Sequence, residues 1–112
     1  MSSRDATSRL VTLVERCKAD PAAAASSREA GDALALEVGG ELAFDWRLTV
    51  VRAAIACDGD TVRELYGELV DRYRDDAPRL ALLRGLGDEI RQLEVDGALP
   101  SVLVARSDRR KR

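Results

Sequence analysis

The sequence predicts an all-α protein, a single compact bundle of four to five helices joined by short connections. Three observations carry that expectation. Apolar residues recur at three- and four-residue intervals over most of the chain. Caps, prolines and glycines punctuate those stretches where helices start and stop. The most apolar stretch, Glu41 to Cys57, holds the only Phe and the only Trp and just four formal charges, so it is the spine the rest packs around. At 112 residues the chain fits one domain, and its 46% hydrophobic content suffices for a core.

Ser2 followed by Asp5 has capping-box spacing and opens the first helix. Its apolar stripe is Ala6, Leu10, Leu13, Val14 and Cys17, and Pro21 ends it near Ala19. Asp20-Pro21 is also a helix start, with proline at a position whose missing N–H costs nothing. Ser26 and Glu29 offer a second capping-box spacing, so the next helix runs either from 21 or from 27 to 38. Ala30, Leu34 and Val38 share its apolar face, Leu36 lies off it, and Gly31 weakens its middle by about 1 kcal/mol relative to alanine. Gly39-Gly40 closes it.

The central stretch carries two periods at once. Leu42, Phe44, Trp46, Leu48 and Val50 alternate with more polar residues, as in a strand. The same residues give a helical polar stripe of Glu41, Asp45, Thr49 and Arg52, with Arg47 as the misfit. A two-residue hairpin at Gly39-Gly40 sets an apolar face against a polar one. A three-residue loop restores the match but puts Glu41 where glycine is wanted. Helix is therefore the expectation, with an α+β arrangement containing a 34–50 hairpin as the alternative.

Asp58-Gly59-Asp60 reads as a turn. Thr61 with Glu64 is a third capping-box spacing, opening a helix whose buried stripe is Val62, Leu65, Tyr66, Leu69 and Tyr73. Asp76 caps the last long helix at Ala77-Pro78. Leu80, Leu83, Leu86, Ile90 and Leu93 form its stripe, Leu82 widens it, and Gly97 ends it. Gly85 and Gly87 read as points of close approach by a neighbouring helix. The organisation is a helical domain over 1–98 and an extension over 99–112 with a basic tail.

Composition narrows function. With no histidine, the usual general base and the commonest metal ligand are absent. No phosphate loop, nucleophile motif or calcium-loop spacing is present. Asp58, Asp60, Asp75 and Asp76 are read as turns and helix-end charges rather than as a cation site. No catalytic residue, cofactor, metal or small-molecule substrate is expected, and the chain is not read as an enzyme. Cys17 and Cys57 fall on apolar faces and are expected to be buried thiols. The N-terminus lacks the apolar run of a secretory signal and no stretch is long enough to span a membrane, so the expected location is cytoplasmic.

The leading expectation is a small interaction module, an adaptor or assembly subunit that binds a protein partner or self-associates. Its candidate contact residues are Trp46 and Arg47 in the spine, and Leu99, Val102, Leu103 and Val104 beyond the last helix, where apolar side chains need a cover. The alternative is a nucleic-acid-associated accessory or regulatory protein. Arg106, Arg109, Arg110, Lys111 and Arg112 against Asp108 give the tail +4, while the remaining 105 residues carry −6 because the whole chain is −2. Such cations supply salt-sensitive phosphate contacts, and the acidic body opposes them.

Overall fold

The computed structural model describes residues 3–99. Among them are five α-helices and no strand: α1 (Ser3–Ala19), α2 (Ala23–Val38), α3 (Gly40–Cys57), α4 (Val62–Arg72) and α5 (Ala77–Val95). A 3-10 turn, Gly59–Thr61, precedes α4. The all-α expectation holds, and the 34–50 hairpin is overturned because both of its arms are helical. The chain divides between Ala53 and Ala54 into two compact units, each described by itself below.

In the first unit, α1 packs against α2. Ala6, Leu10, Val14 and Cys17 are buried as their spacing predicts. The face α2 offers is small-residue: Ala23, Ala24, Ser27, Gly31, Leu34 and Ala35 are buried. Ala30, expected on that face, is exposed instead. The Ser26 capping box does not form, because the helix has already begun. Ser26 donates to Ala23 O at 3.1 Å, while Asp20 accepts from the Ala22 N–H at 3.2 Å at the helix entrance.

The turn from α2 into α3 explains why the hairpin fails. Gly39 and Gly40 both have positive φ, 67° and 63°. The Gly39 N–H donates back to Ala35 O and the Ala43 N–H to Gly39 O, so the pair ends one helix and launches the next. Only glycine adopts two such conformations in succession without strain. The following stretch then satisfies its backbone within itself, and its apolar residues cover most of the helix circumference. Ala43, Phe44, Trp46, Val50, Val51 and Ala53 are all buried. Thr49, expected on a wet stripe, is buried too, its hydroxyl donating to Asp45 O at 2.7 Å.

Trp46 is the centre of this unit and is 0% exposed. Its indole Nε1 donates to Asp32 Oδ1 at 2.9 Å, and the other Asp32 oxygen lies 3.5 Å from Arg28 Nε. The ring seats on Gly31, where an added Cβ would stand 2.0 Å from Cζ2. Gly31 is therefore not a mere weakness in α2. Its missing side chain is the space the tryptophan occupies.

In the second unit α4 buries Val62, Leu65 and Leu69, with Tyr73 just beyond its end, and α5 buries Leu83, Leu86 and Ile90. Leu82 does not widen the buried stripe, being 63% exposed. Thr61 does not cap α4. Its backbone is already helical, and its hydroxyl donates to Asp58 O at 3.1 Å in the 3-10 turn. Asp76 does cap α5, with an extended backbone and a side chain accepting from the Arg79 N–H at 3.2 Å. At the other end the Ala98 N–H reaches Leu93 O and the Gly97 N–H reaches Glu94 O, with Gly97 at φ 66°. That is the glycine stop the sequence predicts.

Candidate functional site

Helices α4 and α5 run antiparallel, since Arg63 at the start of α4 meets Glu94 near the end of α5 and Tyr66 meets Leu83. Between them lies a groove of about 520 Å³. Tyr66, Gly87 and Ile90 line it. The Tyr66 hydroxyl donates to Leu83 O at 2.7 Å, which leaves its oxygen free to accept. A Cβ on Gly87 would stand 2.3 Å from that oxygen, so the absence of a side chain there seats the phenol. Gly87 is thus a point of close approach, by a side chain of the neighbouring helix. Gly85 is not, because nothing lies within 4 Å of its would-be Cβ.

Charged groups ring the groove. Arg63 Nε donates to Glu94 Oε2 at 3.0 Å, and its Nη2 pairs with the same oxygen. This contact holds the Glu94 carboxyl below its ordinary value. Burial pushes the Tyr66 phenol up, and Asp88 adds to that, while Arg91 and Arg84 oppose it. These three side chains therefore all act on one phenol oxygen. Among the described residues neither Arg84 nor Arg91 forms an ion pair. Both are exposed. They stand on α5 with Asp88 and Val95 at successive positions 84, 88, 91 and 95, which is one continuous helical stripe. Val95 is 77% exposed.

The residues singled out from the sequence are not brought together. Trp46 is wholly enclosed, so its ring belongs to the core and is unavailable to a partner in this fold. Arg47 is half-buried on α3. Leu99 is half-buried at the end of the described chain. Val102, Leu103 and Val104 lie outside the described residues, as do Arg106, Arg109, Arg110, Lys111 and Arg112. Of the acidic residues at the turns, Asp76 is engaged as a cap and by Arg79 Nη1 at 2.7 Å. Among the described residues no group of three His, Cys, Asp or Glu could hold a metal ion, and no helix is long and apolar enough to cross a membrane.

Both cysteines are free, but only Cys17 is buried, and burial pushes its thiol pKa up. Cys57 is exposed, which corrects the expectation of two buried thiols. It ends α3 on the turn that faces water.

Sequence reasoning missed the α4–α5 groove. The 84, 88, 91, 95 spacing was visible, but the groove needs the register of α5 against Tyr66, which no single-helix period supplies. Set against family profiles, curated proteins and solved structures, the chain shows no match.

Proposed function

We propose that this chain is a small non-enzymatic helical interaction module, an adaptor or assembly subunit whose working surface is the outside of α5. The observation that carries this reading is the exposure of two large apolar side chains on that one helix, Leu82 at 63% and Val95 at 77%, on different faces of it. Exposed apolar residues scattered singly are ordinary. Here they occupy the helix that in sequence precedes Leu99 and the apolar run Val102-Leu103-Val104, so the apolar residues lacking a cover lie close together along the chain. The two free thiols fit a reducing compartment such as the cytoplasm.

The test has two parts. Light scattering on the full chain, on a chain ending at residue 98, and on Leu82→Glu and Val95→Glu reports self-association. Capture from the native host with the same variants reports a heterologous partner. The reading expects an assembly or a captured protein that the full chain retains and at least one of these variants loses. A monomer in every case, with identical captured proteins throughout, would refute it. Nucleic-acid association through residues 106–112 is the second reading, resting on the +4 charge of that tail. It expects retention of the full chain on DNA or RNA at low salt and loss of retention when the tail is removed.

A further inference from the structure

We infer that the α4–α5 groove is a docking site for an acidic peptide segment of a partner protein, held by Arg84 and Arg91. This deepens the interaction-module reading and rests on it. Three observations converge. The groove, at about 520 Å³, is of a size that takes a few side chains. Arg84 and Arg91 stand over it without an ion pair among the described residues, in a chain whose first 105 residues carry −6. Most of such a body repels an acidic partner, so these two cations, of which Arg91 also acts on the Glu94 carboxyl, are a place within it where an acidic segment can settle. The +4 tail is the competing site that the experiment separates. The exposed Val95 continues the same stripe and supplies an apolar contact at its end.

The arrangement also says what kind of anion fits. Arg84 and Arg91 are seven residues apart, about 10 Å along the helix axis. Asp88 sits between them. A compact dianion such as phosphate would have to approach that carboxylate to reach either arginine. Two carboxylates about 10 Å apart on an extended or helical peptide meet one guanidinium each and avoid it. Arg63 does not compete, being engaged with Glu94. The Tyr66 oxygen accepts a hydrogen bond from a peptide N–H in the groove.

The experiment uses the full chain, labelled with nitrogen-15, and two capped twelve-residue peptides. One carries glutamates at three- and four-residue intervals with alanine and leucine between, and the other has glutamine in their place. Amide shifts on adding the acidic peptide are expected around Tyr66, Arg84, Gly87, Asp88, Arg91 and Val95. The affinity is expected to fall about tenfold in the Arg84→Gln, Arg91→Gln double variant and to weaken with added salt. The glutamine peptide should shift these amides at least tenfold more weakly. Circular dichroism checks that the double variant, changed only at exposed positions, keeps its helices.

Shifts confined to residues 106–112 would overturn the assignment, since the acidic peptide would then be reading the tail. Inorganic phosphate shifting the groove amides as strongly as the peptide would also overturn it, in favour of a small-anion site. No shift at about 1 mM peptide would sink the groove alone. The interaction-module reading would then still stand or fall on the behaviour of Leu82→Glu, which lies off the groove.

Discussion

Replacing Gly31 by alanine tests the architecture of the first unit most sharply, because two physical effects of opposite sign meet there. In an open helix the substitution stabilises by about 1 kcal/mol. At Gly31 the new Cβ would stand 2.0 Å from Trp46 Cζ2, 2.3 Å from Cε2 and 2.5 Å from Cη2. The first separation falls roughly 1.4 Å short of the 3.4 Å at which ordinary contact begins. The obstacle is a rigid, fully buried ring, so it cannot swing aside as a flexible chain end would. Overpacking of this kind costs about 1–3 kcal/mol. Displacing the indole also strains or breaks its hydrogen bond to Asp32, which leaves a donor short of a partner at a cost of about 1–3 kcal/mol. Net of the helix gain, Gly31→Ala is expected to destabilise by about 1–5 kcal/mol. Trp46 is the only tryptophan, so urea unfolding followed by its emission reads this unit directly. The native emission maximum should also move to the red as the ring loses its enclosure. Gly85→Ala, on α5 of the second unit and followed by circular dichroism, is the control, because nothing lies within 4 Å of its Cβ position and the helix gain should appear undiminished. If Gly31→Ala is as stable as the parent and its emission is unshifted, the account of Trp46 and Gly31 is wrong.

Three further outcomes are expected. Tyr66→Phe should lower the stability of the second unit by about 1 kcal/mol, because the Leu83 carbonyl loses its donor; chemical denaturation followed by circular dichroism measures it. Asp76 is held below its ordinary value near 3.8 by its hydrogen bond from the Arg79 side chain and then by that from the Arg79 N–H, and Glu94 is held below 4.5 by Arg63. Both carboxyl pKa values are depressed by folding, so their stabilisation is full above those ordinary values and is lost as pH falls through the lower folded ones. The thermal midpoint should therefore drop as the pH is lowered from 5 to 2.5, and less steeply in Asp76→Asn, Glu94→Gln, where equal slopes would contradict the assignment. A thiol reagent on the native protein should modify Cys57 rapidly and Cys17 only on unfolding, as peptide mapping can show.

Helices were legible in the sequence where one apolar stripe faces one core. The α1 stripe of Ala6, Leu10, Val14 and Cys17 and the Asp76 cap of α5 are found where spacing put them. Legibility failed where a second partner decides. Thr61 has the right spacing to cap α4, yet the 3-10 turn in front of it claims its hydroxyl for Asp58. Ala30 has the right period, but the face of α2 is set by where Trp46 sits, and that rotates it toward Ser27, Gly31 and Leu34. The alternation from Leu42 to Val50 looked strand-like because α3 is apolar over most of its circumference and so has no single stripe to betray a helix. Of the candidate contacts, Trp46 is enclosed in the core, because a large apolar ring in the most apolar stretch of the chain anchors the fold before it can anchor a partner. The groove was illegible because it is made by two helices in register, with Gly87 and Tyr66 meaningful only as a pair.

The Gly39–Gly40 corner has a consequence in the language of handedness. Gly39 sits at φ 67°, ψ −166°, the mirror image of the extended polyproline conformation that ordinary residues favour. A chain of L-residues thus changes direction at a point whose backbone suits the opposite enantiomer. Only that one residue separates α2 from α3, so no slack exists to absorb a change there. An L-alanine at Gly39 opposes its own chirality, whereas a D-alanine introduced by chemical ligation matches the native dihedrals and narrows the freedom of the unfolded chain. The direction in which the spine leaves α2 is thus written in backbone chirality as well as in the seat of Trp46 on Gly31.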